Sequence, residues 1–166
     1  MPFFLASFNK DTWRLTLSFI LLGAFCVLVL GYVFFFYNND TQNSHLQVIE
    51  AVLAGKKLLL EVAHTSALRE QGLSGRENLS QGGGMLFVFD KTGAYGFWMK
   101  DMRFSLDIIW FNTDKKIVYI EKNLSPDTYP TIFTPSTSAQ YVLEVPAGFV
   151  DNSNISVGDF LDIEAK

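Results

Sequence analysis

The pattern of apolar and polar positions divides the chain into two parts. Between Arg14 and Asp40 there is no formal charge, and the stretch Leu15–Phe36 is apolar on every face. A helix of roughly 22 residues is about 33 Å long, enough to cross a hydrocarbon core of about 30 Å. The pattern therefore predicts a single transmembrane helix over residues 15–37, preceded by a short segment over residues 1–14.

A cleaved signal peptide is the alternative for this stretch. Its apolar region is usually about 7 to 15 residues long and is followed by small residues at a cleavage site. Here the apolar stretch is longer and ends in Tyr37-Asn38-Asn39-Asp40, which indicates an uncleaved anchor. Lys10 and Arg14 precede it, whereas the nearest cation after it is Lys56, so the positive-inside rule predicts a cytoplasmic N-terminus. The remainder of the chain is expected outside the cytoplasm, in the periplasm or at the cell exterior.

Residues 38–45 are polar and turn-prone, and they predict a short tether. From residue 46 the pattern changes to short apolar segments, which predicts one domain over residues 46–166. Its first two segments, 46–53 and 57–63, are expected to form a β-hairpin across Ala54-Gly55-Lys56. A short helix should follow, with Thr65 as its N-cap and Gly72 at its end.

The remaining pattern predicts a mainly β (α+β), barrel-like domain of about eight short strands with one or two short helices. Gly82-Gly83-Gly84 is interpreted as a flexible turn, and Asn112-Thr113-Asp114-Lys115 as a hairpin turn. The segment 122–138 contains three prolines and no periodicity, and long loops of this kind are often functional. Six further segments read as strands: 85–89, 95–99, 106–112, 116–121, 141–145 and 160–163.

Charge and cysteine content limit the partners and cofactors that can be expected. Beyond the apolar stretch the chain carries a net charge of −5 without a cationic stripe, so nucleic acid is not expected as a partner. Cys26, the single cysteine, lies inside that stretch, so the domain has no disulfide or thiolate metal site of its own. His45 and His64 do not form a ligand cluster, and neither a metal nor another cofactor is expected. The oligomeric state is left open.

Several motifs occur together in the second part of the chain. They are GLSGRENL (72–79), GGMLFVF (83–89), FWMKDM (97–102), LDIIW (106–110), YVLEVPAG (141–148) and ISVGD (155–159). In order and spacing they resemble the family called domain of unknown function 192, over roughly residues 58–164. The resemblance implies a compact, largely β fold that is often exported or anchored, and it implies no activity. Where the family often has Asn-Thr and a later proline, this chain has Asp101-Met102 and Ser105.

Two carboxylates occur in otherwise apolar predicted strands, Asp107 and Glu144. A buried carboxylate is costly unless it is paired or hydrogen-bonded, so each is expected to have a partner such as Arg76, Lys100 or Arg103. One interpretation is therefore a structural ion-pair network that binds no ligand.

A second interpretation is a pocket for a small polar or glycan-like ligand, in which Trp98 provides a flat aromatic surface. Trp98 and Lys100 should then point the same way, with the proline-rich segment as a cover. A third is a hydrolase of an envelope polymer or small molecule that uses Asp107 and Glu144 as an acid–base pair. The pattern favours a binding or accessory module over an enzyme. The candidate ligand-binding residues are Arg76, Trp98, Lys100, Asp107, Tyr129 and Glu144.

Overall fold

The computed structural model of the chain describes residues 23–34, 46–80 and 82–163, and the chain divides into two compact units after Asn43. In the first unit, residues 23–34 are helical. The rest of the predicted anchor and the tether at 38–45 lie outside the described residues. In the described part of the chain, no helix is long and apolar enough to span a membrane. The anchor over residues 15–37 therefore stays a prediction.

The second unit is built on a seven-stranded sheet with the strand order β5-β4-β6-β3-β2-β1-β7. The strands are β1 (Gln47–Leu53), β2 (Lys56–Ala63), β3 (Gly83–Gly93), β4 (Leu106–Phe111), β5 (Ile117–Leu124), β6 (Ala139–Pro146) and β7 (Leu161–Ile163). Two short helices accompany them, α1 (Ser66–Gln71) and α2 (Phe149–Asn152), with one 3-10 turn, Pro126–Thr128. Neighbouring strands are antiparallel except β2 and β3, which are parallel and connected through α1.

The two ends of the sheet meet. Lys116, just before β5, forms a bridge with Phe160, just before β7, and the amide of Leu161 donates to the carbonyl of Lys115 at 2.9 Å. These bonds connect the first and last strands of the order, so the expectation of a mainly β, barrel-like domain is confirmed.

Local sequence signals explain several elements. In the β1–β2 turn, Ala54 and Gly55 have φ of 48° and 73°, as a two-residue hairpin turn requires. The Thr65 side chain accepts a hydrogen bond from the amide of Leu68 at 3.2 Å and begins α1, and Gly72 follows its last residue with φ of 50°. The predicted hairpin and capped helix are both confirmed.

Three boundaries differ from the prediction. Segment 95–99 is not a strand, since it forms only a single bridge between Phe97 and Phe133, and the described residues contain seven strands. The interpretation of the triple glycine as a turn is wrong for Gly83 and Gly84, which begin β3. A Cβ at Gly84 would lie 2.9 Å from the Glu144 carbonyl oxygen, so glycine allows the close approach there. Strand β5 also extends to Leu124, into the predicted loop.

Two hydrophobic cores lie on opposite faces of the sheet. The inner core takes side chains from all seven strands, among them Leu53, Leu60, Leu86, Ile109, Leu143, Ile117 and Leu161. The outer core lies on the other face of β3, β4 and β6 and includes residues of α1 and of segment 95–104. Because side chains alternate along a strand, neighbouring positions in β4 and β6 face different cores.

Candidate functional site

A cleft of about 270 Å³ opens beside the outer core, between α1 with the residues after it and segment 95–102. Five aromatic side chains line it, Phe87, Phe89, Tyr95, Phe97 and Trp98. The ionisable side chains in its lining are Arg69, Glu70 and Glu144.

Segment 95–99 forms one wall of the cleft although it is not a strand. The indole of Trp110 donates to the carbonyl of Tyr95 at 2.9 Å, and Phe97 and Phe133 exchange backbone hydrogen bonds of 2.9 and 2.8 Å. The ring of Tyr95 stacks on Phe89, with ring centroids 3.5 Å apart. These contacts fix the aromatic wall without a β ladder.

The opposite wall is tied to the turn at Lys100 and Asp101. The amide of Gly75 donates to the carbonyl of Asp101 at 2.8 Å, and the hydroxyl of Ser74 donates to the carbonyl of Lys100 at 3.0 Å. Asp101 adopts a left-handed conformation with φ of 54°. The residues after α1 are thereby held at a fixed distance from the aromatic wall.

Glu144 is the buried ionisable group of this cleft. Its neighbours across the sheet are Met85 on β3 and Ile108 on β4, both apolar and buried, and it is 5% exposed. The carboxyl group of Glu144 makes no hydrogen bond with any described residue. Burial raises the pKa of its carboxyl group to about 8, an effect that the positive charge of Arg76 partly opposes. At neutral pH the group therefore holds a proton.

The expected ion pair between Glu144 and a cation does not form. Arg76 binds Glu61 instead, through two hydrogen bonds of 2.7 Å that lower the pKa of Glu61. Arg103 pairs with Glu77. Lys100 lies over the ring of Trp98, with 5.7 Å between its ammonium nitrogen and the ring centroid.

Asp107 is fully buried but does not belong to the cleft. Its carboxylate accepts hydrogen bonds from the backbone amides of Asn123 (2.8 Å), Gly148 (3.2 Å) and Val150 (2.9 Å). The expectation of a cationic partner is wrong here, because three backbone donors at the start of α2 and near the end of β5 stabilise the carboxylate.

Asp107 and Glu144 lie on opposite faces of the sheet. In the β4–β6 register Asp107 is opposite Val145, and Ile108 is opposite Glu144. Directly opposite residues share a face, so Asp107 lies on the inner-core side with Val145, and Glu144 lies on the outer-core side with Ile108. The two carboxylates therefore cannot act on one bond as an acid–base pair.

Three of the candidate residues come together at the rim of the cleft. The rings of Trp98 and Tyr129 meet edge to face with centroids 5.9 Å apart, and the ammonium nitrogen of Lys100 lies 5.7 Å from the ring centroid of the same indole. Trp98 is 48% exposed and Tyr129 is 46% exposed. Trp98 and Lys100 thus point the same way, as the sequence predicted. Of the six candidates, Trp98 and Glu144 line the cleft.

Sequence reasoning missed Arg69 and Glu61. Arg69 donates through one nitrogen to the carbonyls of His64 (2.7 Å) and Val88 (2.8 Å) and lies 5.1 Å above the ring centroid of Phe89. Glu61 forms an ion pair with Arg76, so Arg76 is not the ion-pair partner of Glu144 that the sequence analysis expected. Arg69 lies five positions after His64, but its contacts with Val88 and Phe89 have no local signal in the sequence. The same holds for the pair of Glu61 and Arg76, which are 15 positions apart. Within the described residues, no group of three or more His, Cys, Asp or Glu side chains could hold a metal ion.

The sequence and the fold of the chain resemble those of known proteins. The chain belongs to the DUF192 family, described as Uncharacterized ACR, COG1430, whose match covers residues 49–163. A crystal structure of a Sinorhizobium meliloti protein described as a candidate transcription regulator is 32% identical, with a TM-score of 0.67, and the match covers 71% of this chain and 95% of that one. A Novosphingobium aromaticivorans protein of unknown function is 28% identical, with a TM-score of 0.68, covering 72% of this chain and 87% of that one. No curated protein matches the chain significantly.

Proposed function

We propose that the domain is a binding module for a small ligand that enters the aromatic cleft and forms a hydrogen bond with Glu144. The observation that carries this proposal is the buried carboxyl group of Glu144, which lines the cleft and has no hydrogen-bond partner among the described residues. Among the described residues no side-chain oxygen or nitrogen is both fully buried and without a partner, so the Glu144 carboxyl group reaches solvent at the cleft, where a ligand group can replace water.

The dimensions of the cleft suit a small molecule. Its volume of about 270 Å³ corresponds to a ligand of one ring or a short chain. The half-exposed indole of Trp98 at the rim offers a flat surface, on which a sugar or another ring could stack. Tyr129 and the segment around it lie against this indole and would cover the bound molecule.

A binding role is favoured over catalysis because Asp107, the partner of Glu144 in the acid–base pair suggested by the sequence, lies on the opposite face of the sheet from the cleft. The described relative from Sinorhizobium meliloti raises nucleic acid as another partner. The net charge of −5 beyond the apolar stretch argues against a phosphate backbone as the ligand. With the predicted anchor at residues 15–37, the module would present its cleft outside the cytoplasm.

The test is a fragment screen by ligand-observed NMR on the full chain in nonionic detergent, using single-ring compounds of each charge. Removing the indole in Trp98→Ala should weaken the binding of cleft fragments by roughly fivefold, because stacking on one aromatic ring is worth about 1 kcal/mol. The domain should stay folded, since Trp98 is half-exposed.

Phe160→Ala is the matched control. Phe160 is 53% exposed, similar to Trp98, but it does not line the cleft. The Phe160→Ala variant should bind every fragment with the same affinity as the original chain. Equal binding to both variants, or unfolding of Trp98→Ala, would contradict a ligand-facing role for this indole.

A further inference from the structure

We propose that the ligand carries an ammonium group on a small apolar or aromatic body, and that Glu144 is its counter-charge. This inference rests on the binding function proposed above and specifies the chemical class of the ligand. It combines two features of the cleft, its aromatic walls and its balance of charges.

The aromatic walls favour a cation. Ring faces carry partial negative charge and attract ammonium and guanidinium groups within about 6 Å. Two rings of this cleft already hold cations of the protein itself, with Arg69 at 5.1 Å from the Phe89 centroid and Lys100 at 5.7 Å from the Trp98 centroid. The cleft is therefore an environment in which a positive charge is stabilised.

The charges around the cleft leave Glu144 as the surplus acid. Arg76, whose charge acts on Glu144 without a hydrogen bond to it, is paired with Glu61 through two hydrogen bonds of 2.7 Å. Arg69 and Glu70 are the other ionisable groups of the lining, and they balance each other. Lys100 lies exposed at the rim, where water screens its charge. An ionised Glu144 would thus lack a counter-ion, which a ligand ammonium would supply.

Binding would exchange a proton with water. In the empty cleft the Glu144 carboxyl is protonated at neutral pH. When an ammonium group enters, the carboxyl releases its proton to solvent, and an N–H of the ligand donates to the resulting carboxylate. A charged hydrogen bond in a desolvated site is about twice as strong as a neutral one. Raising the pH therefore favours binding for as long as the amine remains protonated.

Three probes of one shape and different charge test this inference: benzylammonium, benzyl alcohol and benzoate. Their dissociation constants would be measured by NMR on the full chain in nonionic detergent. Benzylammonium should bind roughly tenfold more tightly than benzyl alcohol, and benzoate most weakly. Between pH 6.5 and 8.5 the affinity for benzylammonium should rise by roughly twentyfold, because the ionised fraction of Glu144 increases over that interval.

Two variants locate the effect. Glu144→Gln keeps the size of the side chain and can still form hydrogen bonds but cannot ionise, so it should remove the preference for benzylammonium over benzyl alcohol and the pH dependence of benzylammonium binding. Glu70→Gln removes the exposed carboxylate of the same lining and should retain at least most of the preference.

The outcomes separate the two proposals. If benzyl alcohol binds in the cleft as tightly as benzylammonium, or if Glu144→Gln retains the preference, the ammonium inference is wrong and the binding function stands. If Glu70→Gln alone removes the preference, the counter-charge is Glu70 and the inference about Glu144 is also wrong. If none of the three probes shifts the signals of cleft residues, both proposals fail.

Discussion

At the scale of single residues, two carboxylates in neighbouring strands have opposite environments. The carboxylate of Asp107 accepts three hydrogen bonds from backbone amides on the inner face of the sheet. The carboxyl group of Glu144, on the outer face, accepts none from described residues. Only one position in the β4–β6 register separates them. Asp107 therefore has a structural role, and Glu144 is the group that remains available to a ligand.

Replacing Asp107 tests its structural role. Asp107→Ala would leave three amide donors without their acceptor, at a cost of about 1 to 3 kcal/mol for each one that stays buried. We expect the free energy of unfolding to fall by about 3 kcal/mol or more, measured by urea denaturation. Asp151→Ala removes an exposed carboxylate of the neighbouring helix α2 and should leave the urea midpoint nearly unchanged. Equal midpoints for Asp107→Ala and the original chain would contradict the account.

The burial of both carboxylates was predictable from the sequence, because each lies among apolar residues of a short strand. Their partners were not predictable. The donors to Asp107 come from residues 16 to 43 positions away, and Arg76 is taken by Glu61, which is 15 positions away. Such pairings depend on strand order and register, which a single sequence does not specify.

At the scale of elements, the predictions that held rest on local chemistry. The β1–β2 turn, the Thr65 cap and the Asn112 turn each need only neighbouring residues, and the Asn112 side chain accepts from the amides of Asp114 and Lys116 at 3.0 Å. Segment 95–99 has strand-like composition, yet it packs Phe97 and Met99 into the outer core and forms only a single bridge. Composition alone cannot distinguish a strand from an extended wall of this kind.

The β1–β2 turn offers a test of local strain. Ala54 has φ of 48°, a left-handed conformation that costs a residue with a Cβ roughly 1 to 2 kcal/mol. Asparagine tolerates this conformation better and forms the favoured Asn-Gly pair with Gly55. Ala54→Asn should therefore raise the free energy of unfolding by up to about 1 kcal/mol. A loss of stability in urea denaturation would show that the turn is not the strained two-residue type.

At the scale of the whole molecule, the sequence pattern predicts an apolar N-terminal part and a β domain. The chain separates into two compact units, Met1–Asn43 and Ser44–Lys166. The barrel-like character was also predicted from the sequence, since many short strands need their edges protected. The connection of β5 to β7 and the separation into inner and outer cores required the structure. That separation creates the cleft, because loops and α1 cover the outer core incompletely.

The membrane anchor remains a prediction at this scale. If residues 15–37 span the membrane, the protein should sediment with membranes at its full-length mass. A reporter that is active only outside the cytoplasm, fused after Lys166, should be active, because Lys10 and Arg14 favour a cytoplasmic N-terminus. A soluble product of reduced mass would show that the segment is cleaved.

The proposed binding site depends on a Glu144 carboxyl group that is protonated at neutral pH. Since the folded pKa of about 8 lies above the ordinary value of 4.5, the folded state holds a proton that the unfolded state loses between these values. Its contribution to stability is therefore full below pH 4.5 and is lost as pH rises through about 8.

The direct measurement is a carbon-13 NMR titration of glutamate side-chain carboxyl groups in the full chain, with the Glu144 signal identified by its absence in Glu144→Gln. We expect a titration midpoint near pH 8 for that signal. A midpoint near the ordinary glutamate value of 4.5 would show a solvated carboxylate and would contradict the claim that Glu144 is the desolvated, unpaired anchor of the cleft.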